Sequence, residues 1–329
     1  MLRFFRSSKT SVLAVVALLA GLTWFHALQY PEAQPSGRYG TMLFELSAGW
    51  LRNIPSATVW VAFFLTLLVA VMLISVNKKL QLIDKISYLP GLCYILLIGG
   101  VPMIHRLNPA APAAVFLVIA FLQLIESFDS DRLSYRYFTA PMFISLACFC
   151  YQYMYVYMAA VWLACLLFRP GYWREWVFSI LGFALPVFFA FCWFFLVEDN
   201  PGAMIEFFGN IFSVERIVPS LSASTLAFFG FGIILSVITF GHLMRYIRSK
   251  RIIVRNGYYF IILIALITFA LAIIVPDTLP VLWYLMAFPL SFILSHYLAT
   301  ATVRRGTIAL ALFFVGVIAA QVIFIGDFF

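Results

Sequence analysis

The chain has 329 residues, of which 64% are hydrophobic and 10% charged, with a formal net charge of +8; a soluble domain carries roughly 45 to 50% apolar and about 25% charged residues. That much apolar surface excludes a water-soluble fold. The cations sit in short connectors rather than on one face with aromatic readers between them, which excludes a nucleic-acid partner.

Uncharged stretches of about 18 residues or more recur along the chain, each long enough to cross a hydrocarbon core as a helix. The sequence therefore reads as an all-α integral membrane protein forming a single polytopic domain over residues 1–329. At the N-terminus, Arg3, Arg6 and Lys9 precede the apolar run Ser11–Gln29. This run is longer than the core of a secretory signal and lacks a small-x-small cleavage site, so it reads as an uncleaved first span. Further spans are expected over 57–76, 87–105, 110–126, 137–151, 153–168, 176–197, 222–242, 257–275, 279–298 and 307–326. That makes about eleven crossings.

Two connectors carry helical periodicity of their own. In 41–54 the apolar Leu43, Leu46, Trp50 and Ile54 form a stripe beside Phe44 and Leu51, and in 203–217 Met204, Phe207, Phe208, Ile211 and Phe212 do the same. Both predict interfacial helices on the outer face, either as lipid-facing elements or as caps over the bundle.

Lysines and arginines in alternate connectors decide the orientation, because cytoplasmic loops retain them. Counting from the N-terminus, seventeen of the twenty-one fall on one set of loops, including Lys78, Lys79, Arg136, Arg169, Arg174, Lys250, Arg251, Arg304 and Arg305. The other set holds Arg38, Arg52, Arg106 and Arg216 with eight acids. The N-terminus is then cytoplasmic and the C-terminus periplasmic, in the inner membrane of a bacterium.

The same count divides residues 137–168 into a hairpin, since one long helix would invert every later loop. Arms of about 15 residues reach roughly 23 Å, short of the roughly 30 Å core, so the turn near Gln152 lies below the outer surface. Such a turn must be covered by protein or face water. The expectation is an outward recess lined by Gln152 and Tyr153 with Tyr151, Tyr155 and Tyr157, the alternative being an aromatic belt at the interface.

Candidate chemistry is sparse. Few charges fall inside spans, which disfavours a proton pump or a charged ion filter. Pro90, Gly91, Gly99, Gly100 and Pro102 concentrate in the third span and mark a kinked or thinned helix. His26 and His105 fall at outer ends, His242 and His296 at inner ends, so no single metal site collects them. The five cysteines, Cys93, Cys148, Cys150, Cys165 and Cys192, lie in apolar segments as small hydrophobes. No nucleotide, zinc or nucleophile-elbow motif occurs, and no cofactor is expected.

On the outer face, Arg38, Arg52, Arg106 and Arg216 can clamp a phosphate, and Glu32, Glu45 and Glu206 are candidate bases. That pairing suits transfer from a polyprenyl-phosphate-linked donor in envelope glycan or glycolipid assembly; solvated loop charges are the plainer account. A lipid or lipid-linked substrate transporter and a non-catalytic scaffold subunit are the other functions that fit. Membrane lipids are partners in all three.

Leu89-Pro90, Tyr94 to Leu97, Leu107-Asn108-Pro109, Phe168-Arg169-Pro170, Trp173-Arg174-Glu175-Trp176 and Gly182 to Pro186 carry a resemblance. Residues 76–197 resemble a bacterial family of multi-span inner-membrane proteins, a domain of unknown function often labelled beta-carotene monooxygenase. The resemblance implies location and fold. Carotenoid-cleaving oxygenases are β-propellers with four histidines on one iron, a constellation that a helical chain with divided histidines does not offer.

Overall fold

The computed structural model describes residues 2–6, 10–31, 41, 44, 49–83, 87–127, 135–168, 172–196, 202, 223–275 and 279–326. Among them are eleven helices of eleven residues or more. They are α1 (Thr10–Gln29), α2 (Pro55–Leu80), α3 (Leu89–Gly99), α4 (Ala110–Glu126), α5 (Arg136–Cys148), α6 (Met158–Phe168), α7 (Trp173–Leu196), α8 (Ala223–Ile247), α9 (Ile252–Ile274), α10 (Leu279–Thr300) and α11 (Val303–Gly326). Seven helical segments are long and apolar enough to cross a membrane, lying in α1, α2 and α7 to α11. The remaining four, α3 to α6, are short.

An apolar outer surface confirms the solvent. Phe188, Phe189, Trp193 and Leu196 on α7, Ile234 and Val237 on α8, and Val315 and Val322 on α11 are all exposed. In water such a band would aggregate; in hydrocarbon it costs nothing. Inside it stand α3, whose every residue is buried, and α10, buried over 83% of its apolar window against 17% for α7. Hydroxyls in this interior return their protons to their own helix: Thr66 to Ala62 O, Thr268 to Ile264 O, Ser291 to Phe288 O and Ser295 to Phe292 O.

Helix α3, at eleven residues, rises only about 16 Å. Its last carbonyls therefore end within the bundle and need donors from elsewhere. Leu96 O takes the Gly100 N–H at 3.1 Å, and Ile98 O takes the Val101 N–H at 3.1 Å. Trp283 Nε1 on α10 donates to Leu97 O at 2.9 Å, and His105 Nε2 donates to Ile98 O at 3.2 Å. Gln321 on α11 donates to Gly99 O.

Glycines in and just after α3 let neighbours close in. A Cβ at Gly100 would fall 1.9 Å from the Phe228 ring of α8, and one at Gly91 would fall 2.6 Å from Ile74 of α2.

The turn after α5 follows the same rule. Thr41 Oγ1 donates to Cys148 O at 2.8 Å, the Thr41 N–H to Cys150 O at 3.3 Å and the Phe44 N–H to Phe149 O at 3.3 Å. A 3-10 turn, Gln152–Tyr157, then leads into α6. Thus the turn near Gln152 is covered by residues of the connector between α1 and α2. Tyr151, Tyr153 and Tyr157 are buried, and the Tyr157 hydroxyl meets Thr268 Oγ1 of α9 at 2.7 Å. The tip needed backbone donors, and the covering segment supplies them.

Of the two expected interfacial helices, 203–217 and, within 41–54, residues 42, 43 and 45–48 lie outside the described residues. Within 41–54, Gly49–Asn53 forms a short 3-10 helix with Trp50 exposed and Leu51 buried.

α5 and α7 come close at Gly182, where a Cβ would sit 2.1 Å from the Phe138 carbonyl oxygen. Backbone cannot yield as a side chain does. Gly182→Ala is expected to lower stability by about 1 to 3 kcal/mol through overpacking. Gly230→Ala on α8, where a Cβ meets nothing within 4 Å, is expected to raise it by about 0.5 to 1 kcal/mol. Melting temperatures in detergent check both, and equal shifts for the pair contradict the packing argument.

Trp283→Phe keeps the ring but removes the donor to Leu97 O. It is expected to cost about 1 to 3 kcal/mol, the penalty of an orphaned buried carbonyl, in the same assay. An unchanged melting temperature contradicts the capping role.

Candidate functional site

Helix ends sort into two groups. At one end meet Lys79 and Gln81 at the close of α2, Glu126 at the close of α4, Arg136 at the start of α5, the α8–α9 turn at Ser249, Lys250 and Arg251, and Ile253 and Val254 of α9. At the other meet His26 and Tyr30 at the close of α1, Val59 of α2, Pro102, His105 and Arg106 after α3, and Gln321 and Phe324 of α11. Cation-rich connectors dominate the first end. There the residues enclose a hollow of about 710 Å³.

Local structure builds this recess from below. The α2 helix stops at Gln81, the one non-glycine residue with positive φ (49°) among the described residues, whose N–H caps Asn77 O at 2.9 Å. Asn77 then pins the turn, accepting the Ile83 N–H at 3.0 Å and donating toward Ser87 O at 3.4 Å. A left-handed cap of this kind ends the helix abruptly and fixes the last-turn lysines.

Opposite them, the Glu126 carboxylate is paired with both Lys79 and Arg136. One acid thus joins three helices. Its side chain is 11% exposed and that of Arg136 14%, whereas Lys79 reaches into solvent at 58%. The Arg136 Nε–H is buried without a hydrogen-bond partner.

A second hollow of about 270 Å³ adjoins the first through Lys250, which lines both. Arg6, Ile83, Ser87, Tyr246, Ala299 and Thr300 complete it. Arg6 reaches in from the N-terminus and caps the end of α10, donating from Nε and Nη2 to Leu298 O at 2.9 and 2.6 Å and from Nη2 to Ala301 O at 2.6 Å. This is a favourable place for a cation at a helix C-terminus. Partial burial lowers its pKa below the ordinary arginine value, and the group remains charged at any physiological pH.

The residues singled out from sequence are dispersed. Glu32, Glu45, Glu206, Arg38 and Arg216 lie outside the described residues, and for Arg52, within the Gly49–Asn53 helix, the side chain does too. Arg106 borders the small opposite hollow of about 30 Å³ with His26 and His105, and the His105 ring stacks on Trp24 at 4.4 Å. Gln152 and Tyr153 occupy the separate turn between α5 and α6. At the basic end the His242 and His296 rings lie 6.4 Å apart, so the four histidines form two pairs at opposite ends.

Sequence reasoning passed over the recess itself. Its available signal was Glu126, a lone acid closing a span and followed ten residues later by Arg136.

No family model, curated protein or solved structure matches this chain.

The recess combines charge with grease: Lys79, Arg136, Lys250 and Arg251 stand beside Leu80, Ile125, Ile253 and Val254. It can hold an anion whose remainder is apolar. Glu126→Ala would leave Lys79 and Arg136 as uncompensated neighbours, and the expected cost is about 3 kcal/mol. Thermal unfolding in detergent measures it, and a variant as stable as the parent removes Glu126 from its bridging role.

Proposed function

We propose that this chain is a multi-pass protein of the bacterial inner membrane that binds a phosphate-bearing lipid in the basic recess and serves as a carrier or transporter of it. The supporting observation is the juxtaposition of four cations with apolar side chains at the end of a bundle whose outer surface is hydrocarbon. An amphiphile with an anionic head fits such a wall: the head takes charge-assisted hydrogen bonds while the tail stays in lipid.

The carboxylate among the described lining residues of the recess, Glu126, is held by Lys79 and Arg136 and is therefore a poor base. Glycan transfer at the opposite face, with Glu32, Glu45 and Glu206 as bases, draws on residues outside the described ones.

The basic end is taken as cytoplasmic and the chain as crossing about eleven times, with the C-terminus periplasmic. Support comes from seventeen cations and five acids on one set of connectors against four and eight on the other. Reporter fusions after Arg251 and after Phe329 are expected in opposite compartments; finding both in one compartment removes this topology.

Binding is tested with the full chain in nanodiscs by native mass spectrometry, using farnesyl monophosphate and farnesol as probes. The phosphate is expected to bind and the alcohol to be at least tenfold weaker, about the worth of one charge-assisted contact. Lys79→Ala combined with Lys250→Ala is expected to erase that difference. Equal binding of phosphate and alcohol to the unaltered chain would overturn the proposal.

A further inference from the structure

Beside the recess lies a smaller hollow of different chemistry. It measures about 270 Å³ against about 710 Å³ for its neighbour, and Lys250 lines both. Leu80, Ile125, Ile253 and Val254 give the larger one an apolar wall. In the smaller one, Arg6, Ser87, Tyr246 and Thr300 supply N–H and hydroxyl groups.

These groups are held in place, and the bonds they already make show what each has left to offer. Arg6 reaches Leu298 O and Ala301 O through Nε and Nη2, so its Nη1 takes no part in these bonds and remains a donor. Ser87 Oγ accepts the Leu89 N–H at 3.2 Å, which leaves its own proton to give. Thr300 Oγ1 gives its proton to His296 O at 2.8 Å, which leaves its lone pairs to accept. The Tyr246 ring stacks on His242 at 4.7 Å, and its hydroxyl can both donate and accept.

A ligand that suits this annex must therefore donate as well as accept. Phosphoryl oxygens only accept, so a bare phosphate leaves the Thr300 acceptor unmet. An ammonium only donates, and it meets a like charge in Arg6, whose hydrogen-bond partners here are neutral carbonyls. Hydroxyl groups do both. At a water's share of about 30 Å³, the hollow has the room of roughly nine waters, more than an ethyl head fills and enough for a glycerol or one sugar.

We propose that the annex holds a polyhydroxylated headgroup: the ligand is a phosphodiester with its phosphate at the junction by Lys250, its hydroxyls against Arg6, Ser87, Tyr246 and Thr300, and its tail along Ile125, Ile253 and Val254. Phosphate and tail rest on the phosphate-lipid reading, whereas the preference for hydroxyls rests on the annex alone. Two sources share this chemistry, a glycerophospholipid and a sugar-phosphoryl prenol.

The test uses the full chain in phosphatidylcholine nanodiscs and two pairs of phosphodiesters, each matched in charge and tail. One pair is phosphatidylglycerol and phosphatidylethanol; the other is glucosyl farnesyl phosphate and ethyl farnesyl phosphate. The hydroxylated member is expected to bind at least tenfold more tightly, about the worth of two net hydrogen bonds. A preference in the first pair alone supports the site and names a glycerophospholipid, in the second alone a sugar-phosphoryl prenol, and in both a headgroup site indifferent to the tail. Tyr246→Phe with Thr300→Val is expected to bring the members of a pair within threefold while binding of the ethyl ester is unchanged; Thr300→Ser, which keeps the hydroxyl, is expected to keep the preference.

Equal binding within both pairs on the unaltered chain overturns the inference and leaves the phosphate-lipid reading standing. A preference that survives Tyr246→Phe with Thr300→Val also overturns it. Glycerol 1-phosphate binding as tightly as phosphatidylglycerol supports the polyol site and assigns it to a soluble ligand, removing the lipid reading. Failure of every probe to bind removes both.

Discussion

Every backbone carbonyl in hydrocarbon needs a donor, and in this protein that requirement governs the helices too short to reach water. Helix α3 ends among its neighbours, and the side chains of Trp283, His105 and Gln321 are brought from three other parts of the chain to meet Leu97, Ile98 and Gly99. The turn after α5 is met by Thr41 and Phe44. An unsatisfied group costs several kcal/mol in lipid, so the order in which long helices pack is tied to where short ones stop. The glycines in and just after α3 follow from this. Without a Cβ at Gly91 and Gly100, α2 and α8 approach closely enough to enclose the helix whose end must be capped.

Charge is organised by the opposite solvent. Lysines and arginines collect where helices emerge at one end, and there a single carboxylate, Glu126, binds the ends of α2, α4 and α5 together. The pair is largely buried, so its strength comes less from Coulomb attraction than from the cost of leaving any member alone. Among the described lining residues around it, Lys79, Arg136, Lys250 and Arg251 stand beside the apolar Leu80, Ile125, Ile253 and Val254.

How much of this could be read beforehand differs by level. The helical segments were legible because each long apolar run has to cross or return, and Ser11–Gln29 or Ile252–Ile274 can do little else. Division of 137–168 into two arms was legible through the cations that follow it, and the interruption is there, a 3-10 turn between Cys148 and Met158. The roof over that turn was not. Thr41 and Cys148 are 107 residues apart, and no periodicity links a threonine in a connector to a carbonyl it will cap. The outer-face residues chosen for chemistry were picked by residue type and sidedness, signals that do not report proximity; the recess at the other end needed Lys79, Glu126, Arg136 and Lys250 to be brought together from three connectors.

By itself the sequence determined that this chain lives in a membrane as helices, because hydropathy acts on each segment independently of the others. Only the tertiary structure decided which helices are inside. Helices α7 and α10 are both apolar around their whole circumference, yet one is largely lipid-facing and the other is central. Lipid tails and protein interiors are equally apolar, so hydrophobicity carries no information about which of them a helix will face. That choice fell to close packing at glycines, to the capping of carbonyls and to one shared carboxylate.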